Sequence, residues 1–119
     1  MKFAIQVEGH PAGSSAAKTS YQFIRAALLK NHHVVLVFFY HDGVYVSDRN
    51  VMHGQKDGPS GTNWRDLAEQ GGFPLVVCSA ALARRGLSGS ELAEGFTIGG
   101  LGAWVDGCLR CDRHITFAA

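Results

Sequence analysis

The sequence predicts an open α/β fold in which a single, mostly parallel sheet is flanked by helices, in the Rossmann or flavodoxin style. Two observations lead to this prediction. Segments with strand-like and helix-like patterns alternate along most of the chain. The run from Val34 to Tyr40 reads Val-Val-Leu-Val-Phe-Phe-Tyr without polar alternation, which is typical of a parallel strand that is covered on both faces.

A strand, a helix and a second strand are predicted in the first part of the chain. Apolar residues alternate with small or polar residues from Phe3 to Val7, which favours a strand. After a turn-rich stretch, a helix is predicted over about Ala16 to Lys30, because apolar residues recur there at steps of four, three and four. These apolar residues are Ala17, Tyr21, Ile24 and Leu28. The run from Val34 to Tyr40 is the second strand.

The rest of the chain is predicted to contribute two more strands, three helices and their connections. In chain order they are a loop with room for a weak helical turn (His41–Asn63), a short helix (Trp64–Gln70), a strand (Phe73–Cys78), a helix (Ser79–Gly86), a connection containing Gly and Ser (Gly86–Gly95), a helix over Leu101–Cys108 and a short strand (Ile115–Phe117). Because the pattern contains no repeat and no linker, residues 1–119 are predicted to form a single domain.

The composition is that of an ordinary globular protein. Apolar residues make up 46% and charged residues 18% of the chain, so disorder is not expected. The formal net charge of +1 gives no reason to expect binding to nucleic acid or to a membrane surface. No apolar stretch has the length of a membrane span, and the N-terminal residues lack the apolar region of a signal peptide. Three cysteines do not suggest a disulfide framework, so a cytoplasmic, reducing location is expected.

The position of Cys78 is the strongest indication of chemical function in the sequence. It ends the run from Phe73 and begins the helix-like run to Gly86. Unsatisfied N–H groups at the start of a helix favour the thiolate of a cysteine, which is its nucleophilic form. Cys78 also lies at the predicted edge of the sheet where the strands end and where sites form in such folds. Two interpretations remain open, a reactive thiol and a buried cysteine that packs as a small hydrophobic residue.

Charged and titratable side chains are predicted near this cysteine. Arg84 and Arg85 follow it by about two turns of helix and add positive charge. His41 and His10 come directly after the second and first strands, at the same predicted edge. The arginines either tune the thiol, bind an acidic partner surface or form a solvated helix end. The histidines either tune the thiol or are solvated loop residues.

A phosphate-binding loop is excluded by its missing glycines. The stretch from Gly13 to Thr19 lies between the first strand and its helix and contains a Lys-Thr pair. Ala12 and Ala17 occupy the positions at which a phosphate-binding loop has glycines. Nucleotide hydrolysis is therefore not expected.

The pair Cys108 and Cys111 forms a Cys-x-x-Cys motif late in the chain. A zinc site would need further ligands, and only His114 offers one nearby. A thioredoxin-type redox motif would have its first cysteine at the start of a helix, whereas this pair ends one. We therefore expect Cys108 to be a packed core residue on the apolar side of the helix, with a metal module as the alternative.

Several segments of the chain resemble the DsrE/TusD family of sulfur-relay proteins. The segments that carry the resemblance span nearly the whole chain: Lys2–Ile5, Tyr21–Phe23, Val37–Val44, Val76–Gly86, Gly100–Gly102 and Cys111–Arg113. The Phe-Phe-Tyr sequence and the Cys-x-Ala-Ala-x-x-Arg-Arg-Gly sequence are rather specific. The resemblance implies the DsrE-like form of the open α/β fold.

The same resemblance implies a cytoplasmic sulfurtransferase. In the family, the cysteine that matches Cys78 accepts a sulfane sulfur from a TusA-like donor, holds it as a persulfide and passes it to a TusE-like or DsrC-like acceptor. The subunit is expected to form a heterohexamer with two homologous small subunits, DsrF-like and DsrH-like or TusC-like and TusB-like. The end use is wobble-uridine thiolation of tRNA or dissimilatory sulfur oxidation, without direct binding of nucleic acid. No metal or organic cofactor is required.

Two departures from the family pattern and one rival function accompany this prediction. The connection from Ser88 to Gly95 is expected to be shorter than in the family, which would alter a partner contact. Cys108 is not part of the pattern, and it could resolve a persulfide on Cys78 only if the two thiols meet. The rival function is a scaffolding subunit of the same kind of complex, in which Cys78 is merely packed.

Overall fold

The computed structural model describes residues 1–53, 58–87 and 89–119. Five strands lie within these ranges: β1 (Lys2–Val7), β2 (His33–Phe39), β3 (Leu75–Cys78), β4 (Phe96–Gly99) and β5 (Arg113–Phe117). Five α-helices accompany them: α1 (Ala16–Leu29), α2 (Arg49–His53), α3 (Gly61–Gly71), α4 (Ser79–Arg84) and α5 (Leu101–Arg110). Two stretches of 3₁₀ helix, His41–Ser47 and Gly89–Glu91, complete the described elements. The first of these is called the 3₁₀ segment below.

The five strands form one sheet in the order β4-β3-β2-β1-β5, and every neighbouring pair is parallel. The chain therefore moves in one direction from β1 to β4, and α5 then carries it back to add β5 beside β1. Since crossovers between parallel strands are right-handed, this reversal puts α5 on the face opposite to α1 and α3. The predicted open, mostly parallel α/β sheet is confirmed.

Aromatic contacts show how the two faces of β2 are covered. Phe39 packs edge-to-face on Trp64 of α3, with ring centroids 5.3 Å apart. Its chain neighbour Phe38 points to the other face and stacks on Trp104 of α5 at 6.1 Å. Both phenylalanines are fully buried. The apolar run in the sequence thus has the two-sided burial that predicted a parallel strand.

The structure contains elements that the sequence pattern did not predict. The strand β4 lies within a segment that was left unassigned between a connection and a helix. The 3₁₀ segment and α2 lie in the predicted loop. The helix α3 begins three residues earlier than predicted, because Ser60 and Asn63 form a reciprocal capping box.

Across the three described ranges, no helix combines the length and the apolar character needed to cross a bilayer.

Candidate functional site

Cys78 is the last residue of β3 and the N-cap of α4. Its backbone is extended, and it is paired in register with Gly99 at the end of the neighbouring strand β4. Because all strands are parallel, this is the edge of the sheet at which sites form in open α/β folds. The predicted position of Cys78 is thus the observed one.

The thiol of Cys78 is not accessible in this conformation. The residue is 1% exposed and belongs to the hydrophobic core. Sulfur transfer needs a thiol that a partner can reach, so this burial is a departure from the expected environment. The next two residues, Ser79 and Ala80, are both exposed. The chain therefore passes from the core to the surface directly after Cys78.

The start of α5 lies beside Cys78 at the same edge. The helix follows β4 after its N-cap Gly100, which provides no side-chain hydrogen bond to the first turn. A side chain added at Gly100 or Gly102 would meet no atom within 4 Å, so the space over this turn is open. Unpaired N–H groups of a first turn attract anions. This feature was not predicted from the sequence, in which the segment Gly100-Leu101-Gly102 directly after β4 is its signal.

Arg85 and Arg84 have different environments. The Arg85 Nε donates to Asp42 Oδ1 at 2.8 Å, and its Nη1 donates to the Ala81 carbonyl at 3.0 Å. This arginine therefore ties the end of α4 to the 3₁₀ segment. Arg84 is exposed and makes no hydrogen bond or ion pair within the described part of the chain.

The two histidines of the edge contact tyrosine rings, His41 in its own segment and His10 across to the 3₁₀ segment. His41 is exposed, has a left-handed backbone (φ 49°) and stacks on Tyr40 with ring centroids 4.0 Å apart. His10 packs on Tyr45 at 4.7 Å. Within the described ranges, neither ring is hydrogen-bonded to Cys78. The neighbour of His41, Asp42, is the residue that reaches α4.

The other two cysteines lie at the opposite edge of the sheet. The helix α5 starts at the Cys78 edge and runs to the other one, where the Asp112 N–H donates to the Lys2 carbonyl at 2.8 Å. A Cys108 thiol at the end of this helix is therefore not placed to resolve a persulfide on Cys78 of the same chain.

The expectation of a core position for Cys108 is wrong. Cys108 is half-buried and lies outside the core, whereas Cys111 packs against it. Burial raises the pKa of the Cys108 thiol, and the nearby Cys111 thiolate raises it further. Within the described ranges, no three His, Cys, Asp or Glu side chains are grouped as metal ligands. The alternative metal module of Cys108, Cys111 and His114 thus has no geometric support.

The apolar side of α5 is only partly turned inward. Gly107 is buried and Trp104 packs on the sheet. Three apolar residues spaced by four form an exposed stripe along the helix: Leu101 (47% exposed), Val105 (55%) and Leu109 (81%). We call these three residues the α5 stripe.

Comparison with known proteins decides the family. A model of the DsrE/DsrF-like family matches residues 1–117. The chain belongs to the DsrE/DsrF-like family. This DsrE/DsrF-like chain is 38% identical to a protein named DsrE from Allochromatium vinosum, over 98% of both chains. It is 36% identical to Sulfurtransferase TusD from an Enterobacter strain, over 98% of this chain and 100% of that one.

Solved structures agree with the DsrE-like fold predicted from the resemblance. The crystal structure of the YchN protein from E. coli superimposes with a TM-score of 0.75 at 28% identity and covers 98% of this chain and 99% of its own. A protein of unknown function from Methanobacterium thermoautotrophicum gives a TM-score of 0.59 at 21% identity, covering 97% of this chain and 96% of its own. The second likeness concerns the fold alone.

The alignments to the two curated relatives extend over 128 positions, which is more than the 119 residues of this DsrE/DsrF-like chain. The relatives therefore contain residues that this chain lacks. The predicted short connection at 88–95 stays a prediction, since Ser88 lies outside the described residues.

Proposed function

We propose that this protein is a sulfurtransferase subunit of a sulfur-relay complex and that Cys78 carries the sulfur as a persulfide. The observation that carries the proposal is the position of Cys78 at the strand–helix junction of a DsrE/DsrF-like sheet. A relative of nearly equal length is named a sulfurtransferase. The cytoplasmic location and the two end uses of the sulfur, tRNA thiolation and sulfur oxidation, rest on the resemblance alone.

The chemistry requires a thiolate and little else. The Cys78 thiolate attacks the outer sulfur of a donor persulfide, the donor leaves as its thiol, and Cys78 becomes a persulfide. A thiolate of the acceptor then attacks the outer sulfur of Cys78 and restores the Cys78 thiol. The resemblance implies a TusA-like donor and a TusE-like or DsrC-like acceptor. The first turns of α4 and α5 both begin at this edge.

The burial of Cys78 means that transfer requires a local opening. The 3₁₀ segment packs against β3 and α4, and the ion pair between Arg85 and Asp42 joins it to α4. Docking of a partner at this edge would separate the 3₁₀ segment from α4 and uncover the thiol. Ser79 and Ala80, which follow Cys78 in the chain, are already exposed.

The same burial favours a second candidate function. A cysteine that is 1% exposed is also what a scaffolding subunit would have, with Cys78 acting as a small core residue. The two functions differ in the reactivity of this thiol in the folded protein.

Intact-protein mass spectrometry after incubation with a low-molecular-weight persulfide tests the proposal. The double variant Cys108→Ser/Cys111→Ser leaves Cys78 as the single thiol and is expected to gain the mass of one sulfur atom. The triple variant that also contains Cys78→Ser is expected to gain none. The single variant Cys78→Ser, which keeps Cys108 and Cys111, tests whether these two cysteines accept sulfur independently.

The matched control is alkylation of the double variant in the folded state and in denaturant. Slow alkylation when folded and fast alkylation when denatured would measure how often the Cys78 thiol becomes accessible. No sulfur gain and no alkylation in the folded state, with or without the partner subunits, would contradict the carrier role and favour scaffolding.

The proposed partners are homologous small subunits, DsrF-like and DsrH-like or TusC-like and TusB-like. The α5 stripe supports such an association, because three large apolar side chains along one helix are exposed in the isolated chain. Contiguous exposed apolar surface is characteristic of interaction sites. The stripe lies on the helix that begins beside Cys78, so a subunit bound there would border the proposed site.

A further inference from the structure

A second thiol site lies at the far end of α5, away from the proposed carrier. Cys108 is in the last turn of α5, and Cys111 follows the helix in extended backbone (φ −99°, ψ 164°). The Cys111 Sγ donates to the carbonyl oxygen of Cys108 at 3.4 Å. The Cys111 side chain is therefore folded back over the end of the helix toward Cys108. Both residues are half-buried, so neither is sealed in the core.

The spacing of the two residues in the chain is compatible with a disulfide. Cys-x-x-Cys is the spacing of the motifs that form disulfides in thiol–disulfide oxidoreductases. The Cβ atoms of residues three apart in a helix are about 5–6 Å apart, whereas a disulfide needs about 3.5–4.5 Å. Cys111 lies past the last helical residue in extended backbone, so its backbone is not held at the helical spacing. The charge of the Cys111 thiolate raises the pKa of Cys108, which agrees with two sulfur atoms close to each other. Closure requires the Cys108 side chain to rotate toward the helix end and the backbone at Cys111 to move closer to it.

We propose that Cys108 and Cys111 form a reversible intramolecular disulfide, a redox site independent of Cys78. The oxidant is a low-molecular-weight disulfide of the glutathione type. One cysteine thiolate attacks this disulfide and forms a mixed disulfide, which releases one small thiol. The second cysteine attacks the mixed disulfide, closes the protein disulfide and releases the second small thiol. The two cysteines lose two electrons and two protons, and the small disulfide gains them.

The position at a helix end gives this site a different character from a thioredoxin-type motif. There, the first cysteine lies at the start of a helix, where its thiolate is stabilised. Here, the raised pKa of Cys108 lowers the fraction of its thiolate near neutral pH. Attack by Cys108 is therefore slow at neutral pH and becomes faster as the pH rises and its thiolate fraction grows. A thiolate with a raised pKa is also a poor leaving group, so the closed disulfide exchanges slowly.

The experiment uses the Cys78→Ser variant, fully reduced and then incubated with excess oxidised glutathione at neutral and mildly alkaline pH. Intact mass under non-reducing conditions is expected to fall by two hydrogen atoms without any glutathione adduct, and faster at the alkaline pH. A proteolytic fragment containing both cysteines is expected to show the internal bond. The variant Cys78→Ser/Cys111→Ser is the matched control and is expected to retain one glutathione on Cys108.

Three results would overturn the proposal. They are glutathione adducts on both Cys108 and Cys111, free thiols at the alkaline pH, or a disulfide that joins two chains. If Cys78→Ser does not fold, fragment mapping of oxidised wild-type protein gives the same readout, because Cys108 and Cys111 are read separately from Cys78.

Discussion

At the scale of single residues, the adjacent Arg84 and Arg85 illustrate how far a sequence pattern can assign a role. Both were predicted to tune the thiol or to bind a partner. In the structure, Arg85 makes an ion pair with Asp42 and a hydrogen bond to the Ala81 carbonyl, and Arg84 is exposed. Arg85 therefore joins α4 to the 3₁₀ segment, and Arg84 remains a candidate for partner binding.

The arginine pair gives a matched comparison. We expect Arg85→Ala to lower the free energy of unfolding by about 1 kcal/mol, because it removes a partly exposed ion pair and a hydrogen bond. Arg84→Ala is expected to change it by less than about 0.5 kcal/mol. Urea denaturation measures both values. In the variant with Cys78 as the single thiol, Arg85→Ala should also speed folded-state alkylation. Equal rates for the two arginine variants would contradict the proposal that the Arg85–Asp42 ion pair limits access to Cys78.

Two glycines of α5 give a second comparison at the residue scale. A methyl group at Gly107 would overlap the buried side chain of Leu36, whereas at Gly102 it would meet open space. We expect Gly107→Ala to destabilise the protein by about 1–3 kcal/mol through overpacking. Gly102→Ala is expected to stabilise it by up to about 1 kcal/mol, since alanine is the better helix former. Thermal unfolding of both variants measures this, and shifts of the same sign would contradict the packing described.

At the scale of elements, the α5 stripe predicts how the proposed complex forms. Replacing Val105 and Leu109 by Glu places charge on an exposed apolar surface without touching the core. We expect this double variant to fold but to lose association with the homologous subunits, measured by the mass of the co-expressed complex in light scattering. Leu29→Glu is the control, because Leu29 is 78% exposed at the end of α1. Assembly of the stripe variant at wild-type level would exclude the stripe as the interface.

The elements that were predicted and those that were missed differ in the strength of their local signal. The strand β2 has a continuous apolar run, and α1 has a regular apolar spacing over fourteen residues. The strand β4 has four residues, two of them exposed, so its pairing with β3 rather than its pattern makes it a strand. The start of α3 depends on a Ser60–Asn63 capping box, which differs from the common form with Glu or Gln.

At the scale of the whole molecule, the position of the candidate site was predictable and its accessibility was not. Parallel strands bring their ends to one edge, so Cys78 and His41 could be assigned to it from the order of elements. Cys78 is 1% exposed, and the 3₁₀ segment packs on β3 and α4 with a contact between Asp42 and Arg85, which are 43 residues apart. No local pattern encodes such a contact.

The pairing of β1 with β5 also has a consequence for synthesis. The strand β5 pairs along one side of β1, and the Lys2 N–H also donates to Asp112 Oδ2 at 2.8 Å across 110 residues. One side of the first strand is therefore covered only by the last of the described strands. While a ribosome is still translating the middle of the message, β1 and β2 can pair, but the other side of β1 presents unpaired N–H and C=O groups. Such an edge can template pairing with another chain. Nascent chains on crowded polysomes are therefore expected to depend on a chaperone until β5 has emerged.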